Sequence, residues 1–205
     1  MYFSFLLISI VVFFQAENLF AQDEKADQMK AIDYYSELPA APEKYTPENV
    51  AARMIDALGF RYYWATEGLR SEDMDYRPTP EARSTSETLE HIYELVVVIK
   101  NTAEKTPTDR AVESPEMTFD EMRNRTLQNL KLASDLLKAS QAGSLEDFSV
   151  QFKKGEEITE KPFWNLINGM LTDAIGHTGQ IVSFRRTSGN PVLKKISYFS
   201  GVVRE

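Results

Sequence analysis

An all-α fold built as a four-helix bundle is what three observations predict. Four separate segments carry apolar residues at helical spacing. Three of them open on a residue that can cap a helix, and the fourth ends on Gly and Pro. The chain has 205 residues, enough for one domain with a sizeable core. Amphipathic helices of similar length bury their apolar stripes most simply against one another.

The first helix is expected from Thr46-Pro47-Glu48, where a cap residue precedes Pro at the first helical position and an acid faces the positive end of the dipole. It should run to about Leu69. Pro78 and Pro80 then break helicity. Ser84-Thr85-Ser86-Glu87 has capping-box spacing and leads into a helix with Leu89, Ile92, Val96 and Ile99 on one stripe. Val96-Val97-Val98 widens that stripe, so this helix should be buried over much of its circumference. A loop with Pro107 and Pro115 follows. Thr118-Phe119-Asp120-Glu121 opens a third helix to about Ala139. The alternation of FSVQFKKGEEITEKPF, with Lys154-Gly155 at its centre, predicts a small β-hairpin between helices 3 and 4. The fourth helix should start near Pro162 and stop at Ser188-Gly189-Asn190-Pro191. The loops flanking helix 3 are long for a simple up-down bundle, which leaves room for crossover connections. The bundle is therefore expected over 46–190, with residues 191–205 as an extended tail packed on it.

The N-terminus has a different character. Residues 3–14 form an apolar run broken only by Ser4 and Ser9, shorter than a membrane span and suited to a secretory signal cleaved between Ala21 and Gln22. Residues 22–45 read as a polar leader and linker, with one short helix around Glu24 to Tyr35. A periplasmic or secreted protein follows from this reading; an uncleaved N-terminus anchoring the protein to a membrane is the alternative. The chain has no Cys, which excludes disulfides, Cys-linked lipid and thiol nucleophiles. A net charge of -8 argues against a nucleic-acid surface. No glycine-rich phosphate loop or Ser/His/Asp arrangement is present.

Chemistry concentrates on the two histidines. Asp173 and His177 are spaced i, i+4 on helix 4, within a stripe that also holds Leu166, Met170, Ile181 and Phe184. His91 lies on helix 2. Facing helices of a bundle can bring such residues together. Two imidazoles and a carboxylate suit Zn²⁺ or another divalent transition ion with positions left for water or substrate. The same three residues could also satisfy one another by hydrogen bonds. A carboxylate in an apolar stripe needs a cation, a proton or donors. Gln180 could steady a ligand or cap a neighbouring helix, and Glu87 and Glu94 flank His91 by one turn, placed to orient its ring or to face water. Arg185 and Arg186 could bind an anionic group or simply complement the helix dipole. Phe60 to Trp64 read as core and pocket lining, with Gly59 before them allowing close packing.

The segments "SETLEHIYELV" and "DAIGHTGQIVSFRRTSGNP", with "LRSEDMDYRPTPEARS" between helices 1 and 2, resemble the DinB-like family of bacterial four-helix-bundle proteins over roughly residues 46 to 190. The likeness is most specific in the H-x-G-Q-[IL] core at His177 to Ile181. The resemblance implies one metal-binding His from helix 2 and two from an H-x-x-x-H on the last helix. His91 and His177 match two of these positions; Asp173 stands at the third, and Thr178 follows His177 where Arg is common. It therefore implies a divalent metal site (Zn, Ni or Mn) formed by His91, Asp173 and His177, in a metal-dependent hydrolase or transferase acting on an unknown small molecule. A non-catalytic ligand-binding or scaffold bundle without metal is the rival reading, and a homodimer through a bundle face is compatible with both.

Overall fold

A computed structural model describes residues 33–205. The expected secretory signal, its expected cleavage point and nearly all of the expected leader helix lie outside these residues. The fold is mostly helical. Its long helices are α1 (Pro47–Thr66), α3 (Thr85–Ala103), α4 (Phe119–Ala139) and a composite last helix, with a four-residue α2 (Ser71–Met74) between α1 and α3. The composite helix consists of α5 (Phe163–Leu166), a π-helical turn over Ile167–Leu171, and α6 (Thr172–Thr187).

The starts of these helices follow from their caps. Thr46 accepts from the Asn49 amide, and Ser84/Glu87 and Thr118/Glu121 close reciprocal capping boxes. The helix contacts run α1–α4–α3–α6 and back to α1, which sets α1 across from α3 and α4 across from α6. Arg123 near the start of α4 reaches Thr66 at the end of α1, so these two helices are antiparallel. Arg185 near the end of α6 reaches Ala65, so α1 and α6 run the same way. Tyr76, just before α3, packs on Phe184 near the end of α6. Both α3 and α4 thus start at the end of the molecule where α1 stops. The order is up, down, down, up.

Residues 104–118 must therefore return along the outside of α3. On the way they form β1 (Thr108–Asp109), which pairs in parallel with β2 (Val150–Lys154). The expected hairpin is β2 with antiparallel β3 (Glu157–Lys161), closed by Gly155-Glu156. Gly155 has φ +63° at the first central position, as a II′ turn requires. The tail forms a second hairpin of β4 (Ile196–Ser197) and β5 (Val202–Val203).

The linker is more deeply tied down than its composition indicates. Tyr35 is fully buried, its hydroxyl donates to Asp56 at 3.2 Å, and Lys138 pairs with Asp56 at 2.7 Å. Its ring fills the space left by the missing Cβ of Gly59; a Cβ there would come within 2.6 Å of ring atoms. Gly59 serves contact with Tyr35 rather than contact between helices. Helix propensity alone favours Gly59→Ala by about 1 kcal/mol, whereas forcing the Tyr35 ring aside costs about 1–3 kcal/mol. Net destabilisation in urea unfolding is the expected result, and a stabilised variant would contradict the docked position of Tyr35.

No helix among the described residues is long and apolar enough to cross a membrane.

Candidate metal centre

The capping box that starts α3 fixes where His91 falls, two turns into the helix on the flank facing α6. On α6 the π turn sets the phase. Leu166 and Leu171 are both buried at a spacing of five, so the turn between them carries one residue more than an α-helix would. The buried line then continues through Ala174, Thr178, Ile181 and Arg185. This differs from the stripe read in the sequence. Met170 and Phe184 are half-buried, the Asp173 side chain is 51% exposed, and His177 lies on the flank of the line. Burial therefore imposes no demand for a cation on Asp173. Geometry is what makes a cation there possible.

His91 Nε2 is 3.4 Å from Asp173 Oδ2, and His177 Nε2 is 3.2 Å from Asp173 Oδ1. The two imidazole rings meet edge to face with centroids 4.8 Å apart. One donor atom from each residue can be chosen so that all lie within 4.8 Å of one another. Ligands about 2.1 Å from a tetrahedral ion sit about 3.4 Å apart, and each histidine nitrogen already stands at about that distance from a carboxylate oxygen of Asp173, His91 from Oδ2 and His177 from Oδ1. The cluster can hold a metal ion.

Gln180 adds a chemical constraint. Its side-chain oxygen accepts from His177 Nδ1 at 2.9 Å, and an amide oxygen can only accept. The proton therefore sits on Nδ1 and, in the neutral ring, Nε2 presents a lone pair to a carboxylate oxygen. Two electron-rich atoms at that distance call for something positive between them, a proton or a metal ion.

The remaining sequence candidates are placed as follows. Glu94 Oε2 lies 3.7 Å from His91 Nδ1, on the side of the ring away from Asp173. Glu87 is turned away from the cluster. It closes the Ser84 cap and forms a two-pronged ion pair with Arg77 at 2.7 and 2.8 Å, which holds its carboxyl down to about 2. Arg185 is buried and committed to protein carbonyls, so it does not face the cluster; Arg186 is exposed. Phe60, Tyr62 and Tyr63 are core residues. Thr178 is buried and bonds back to the Ala174 carbonyl at 2.7 Å.

Two features of the site's support escaped the sequence reading. One is the π turn, whose only trace is Asn168-Gly169 in mid-helix. The other is Asp73, buried beside the end of α6, where it accepts from Ser188 and Asn190. The Arg70 guanidinium bonded to Asp73 holds its carboxyl well below the usual carboxylate range. This assembly fixes the end of α6 two to three turns beyond His177. Against protein-family models, characterised proteins and solved structures, the chain finds no match.

Proposed function

We propose that this chain is an exported DinB-like protein, a four-helix bundle in which His91, Asp173 and His177 hold a divalent transition ion, and that it acts as a metal-dependent hydrolase or transferase on a small molecule. The observation carrying this reading is the convergence of two imidazole nitrogens on one carboxylate, with Gln180 fixing the tautomer that frees His177 Nε2. The resemblance around His91 and His177 supports the family assignment. Asp173 in place of the family's histidine supplies an anionic ligand at that position.

An ion bound here would lower the pKa of a water in an open position or polarise a substrate carbonyl or thiol. The protein's own contribution is placement. Three side chains leave coordination positions free, and the half-exposed Asp173 puts those positions within reach of a small molecule. Glu94, beside His91, also lines a cavity of about 950 Å³ between α3 and the 104–118 connection, with Val97, Arg110 and Phe152. His91, Asp173 and His177 do not line it, so it adjoins the cluster only through Glu94.

A second reading is favoured by the same distances. A proton on each Nε2 would let Asp173 satisfy both rings without metal, in a bundle that binds a ligand or partner but performs no reaction. Metal analysis separates the two. Protein incubated with Zn²⁺, Ni²⁺ or Mn²⁺ and desalted is expected to retain about one ion per chain. Gln180→Leu, which removes the acceptor on His177 Nδ1, is expected to weaken binding by roughly 10- to 100-fold. A native chain that retains none of the three ions establishes the metal-free reading.

A further inference from the structure

Charge is distributed very unevenly along this acidic chain. Residues 174–205 contain Arg185, Arg186, Lys194, Lys195 and Arg204 but only one acid, Glu205. That segment carries +4 in a protein of net charge -8. Arg185 is buried, whereas Arg186, Lys194, Lys195 and Arg204 are exposed, and none of these four has a carboxylate within 4.0 Å among the described residues.

The same segment displays apolar side chains to solvent. Phe199, in the turn between β4 and β5, is 100% exposed, Leu193 is 62% exposed, and Val202 and Val203 are also uncovered. The turn is not loose. Tyr198 packs edge-on to Phe60 and under the Arg61 guanidinium, and Gly201 both lies against Leu38 and accepts its amide at 2.8 Å. An anchored turn that holds a phenylalanine fully in water, within a segment that also displays four unpaired cations, is the kind of surface that a partner covers.

We infer that the β4–β5 hairpin is a docking surface for an anionic lipid bilayer. Phe199 and Leu193 would enter the headgroup boundary while Lys194, Lys195, Arg204 and Arg186 meet lipid phosphates. A nucleic acid would pair with the cations but leave Leu193, Val202 and Val203 without a partner. The apolar run at 3–14 ends 24 residues before Leu38, whose amide is hydrogen-bonded to the hairpin. This inference is independent of the metal cluster.

The test uses the full chain with Phe199→Trp, read against the unmodified protein, whose Trp64 and Trp164 set the background. Vesicles contain brominated phosphatidylglycerol or brominated phosphatidylcholine. The introduced indole is expected to be quenched by the anionic vesicles. Adding Lys194→Glu and Lys195→Glu should raise the lipid concentration needed by roughly tenfold or more, and salt should act in the same direction. Protein that sediments with vesicles while the introduced indole stays unquenched would show that the N-terminal run alone binds and would overturn the inference. Equal quenching by both lipids, or an emission shift that grows with protein concentration in the absence of lipid, would also overturn it, the latter in favour of a second copy.

Discussion

Asp173→Ala is expected to reduce divalent-ion affinity by roughly a hundredfold or more, because it removes a charged ligand rather than one of the outer partners whose loss costs 10- to 100-fold. His91 and His177 alone offer two neutral nitrogens whose rings are 4.8 Å apart at their centroids, and nothing of opposite charge between them. Calorimetric titration with Zn²⁺, Ni²⁺ and Mn²⁺ measures the loss directly. Thermal unfolding gives a second readout: at a hundred times its dissociation constant an ion stabilises the native state by about 2.7 kcal/mol, and this increment should vanish in the variant. Asp173→His restores three ligands with the resemblance's own H-x-x-x-H pattern and should rebind, with preference moved away from Mn²⁺, which favours oxygen donors. If the trio is held by hydrogen bonds alone, Asp173→Ala changes stability only slightly, since the carboxylate is half-exposed, and ions alter the unfolding of neither protein.

What the sequence made legible is what is decided locally. Thr46, Ser84/Glu87 and Thr118/Glu121 satisfy amides three residues away, so the start of each helix is written within one turn of chain. Gly155 marks the hairpin for the same reason: its positive φ is a property of a two-residue turn. The pairing of Asp173 with His177 was also legible, because i, i+4 neighbours meet on any helix. Their position relative to the core was not. A stripe drawn at 3.6 residues per turn runs straight through Ile167–Leu171, where the backbone inserts an extra residue and rotates everything after it. The correct buried line, Leu171–Ala174–Thr178–Ile181–Arg185, contains a threonine and an arginine and so has little apolar contrast to betray it. Tyr35 was hidden for a different reason. Its partner Gly59 and its acceptor Asp56 lie more than twenty residues away, in a segment whose own composition is that of a linker.

Arg185 and Arg186 pose the sharpest case of two adjacent residues that sequence cannot separate, and replacing each by methionine should give opposite results. Both fall in the last turn of α6, where the dipole favours a cation. Arg186 is exposed and has no ion-pair partner among the described residues, so Arg186→Met should stay within about 0.5 kcal/mol of the native protein. Arg185 is 4% exposed, and its guanidinium donates to Ala65 O at 3.0 Å, Glu67 O at 2.6 Å and Asn190 O at 2.8 Å. Ala65 and Glu67 lie where α1 stops, and carbonyls there have no partner of their own within the helix. Methionine fits the same length of channel but brings no donor, leaving the buried Ala65 carbonyl and the part-buried Glu67 and Asn190 carbonyls without theirs. Each buried orphan costs about 1–3 kcal/mol, so three lost together cost about 3–5 kcal/mol when the part-buried two regain some water. Arg185→Met is therefore expected to lower the unfolding free energy by about 3–5 kcal/mol in urea titrations, and Arg185→Lys, which keeps the charge but cannot fork between two chains, should recover only part of it. Because Arg185 ties the end of α6 to the end of α1, its loss should also loosen the register between His177 and His91. A weaker ion affinity in Arg185→Met at temperatures where the variant remains folded would report that coupling; a stability equal to that of Arg186→Met would show that the carbonyls find water instead.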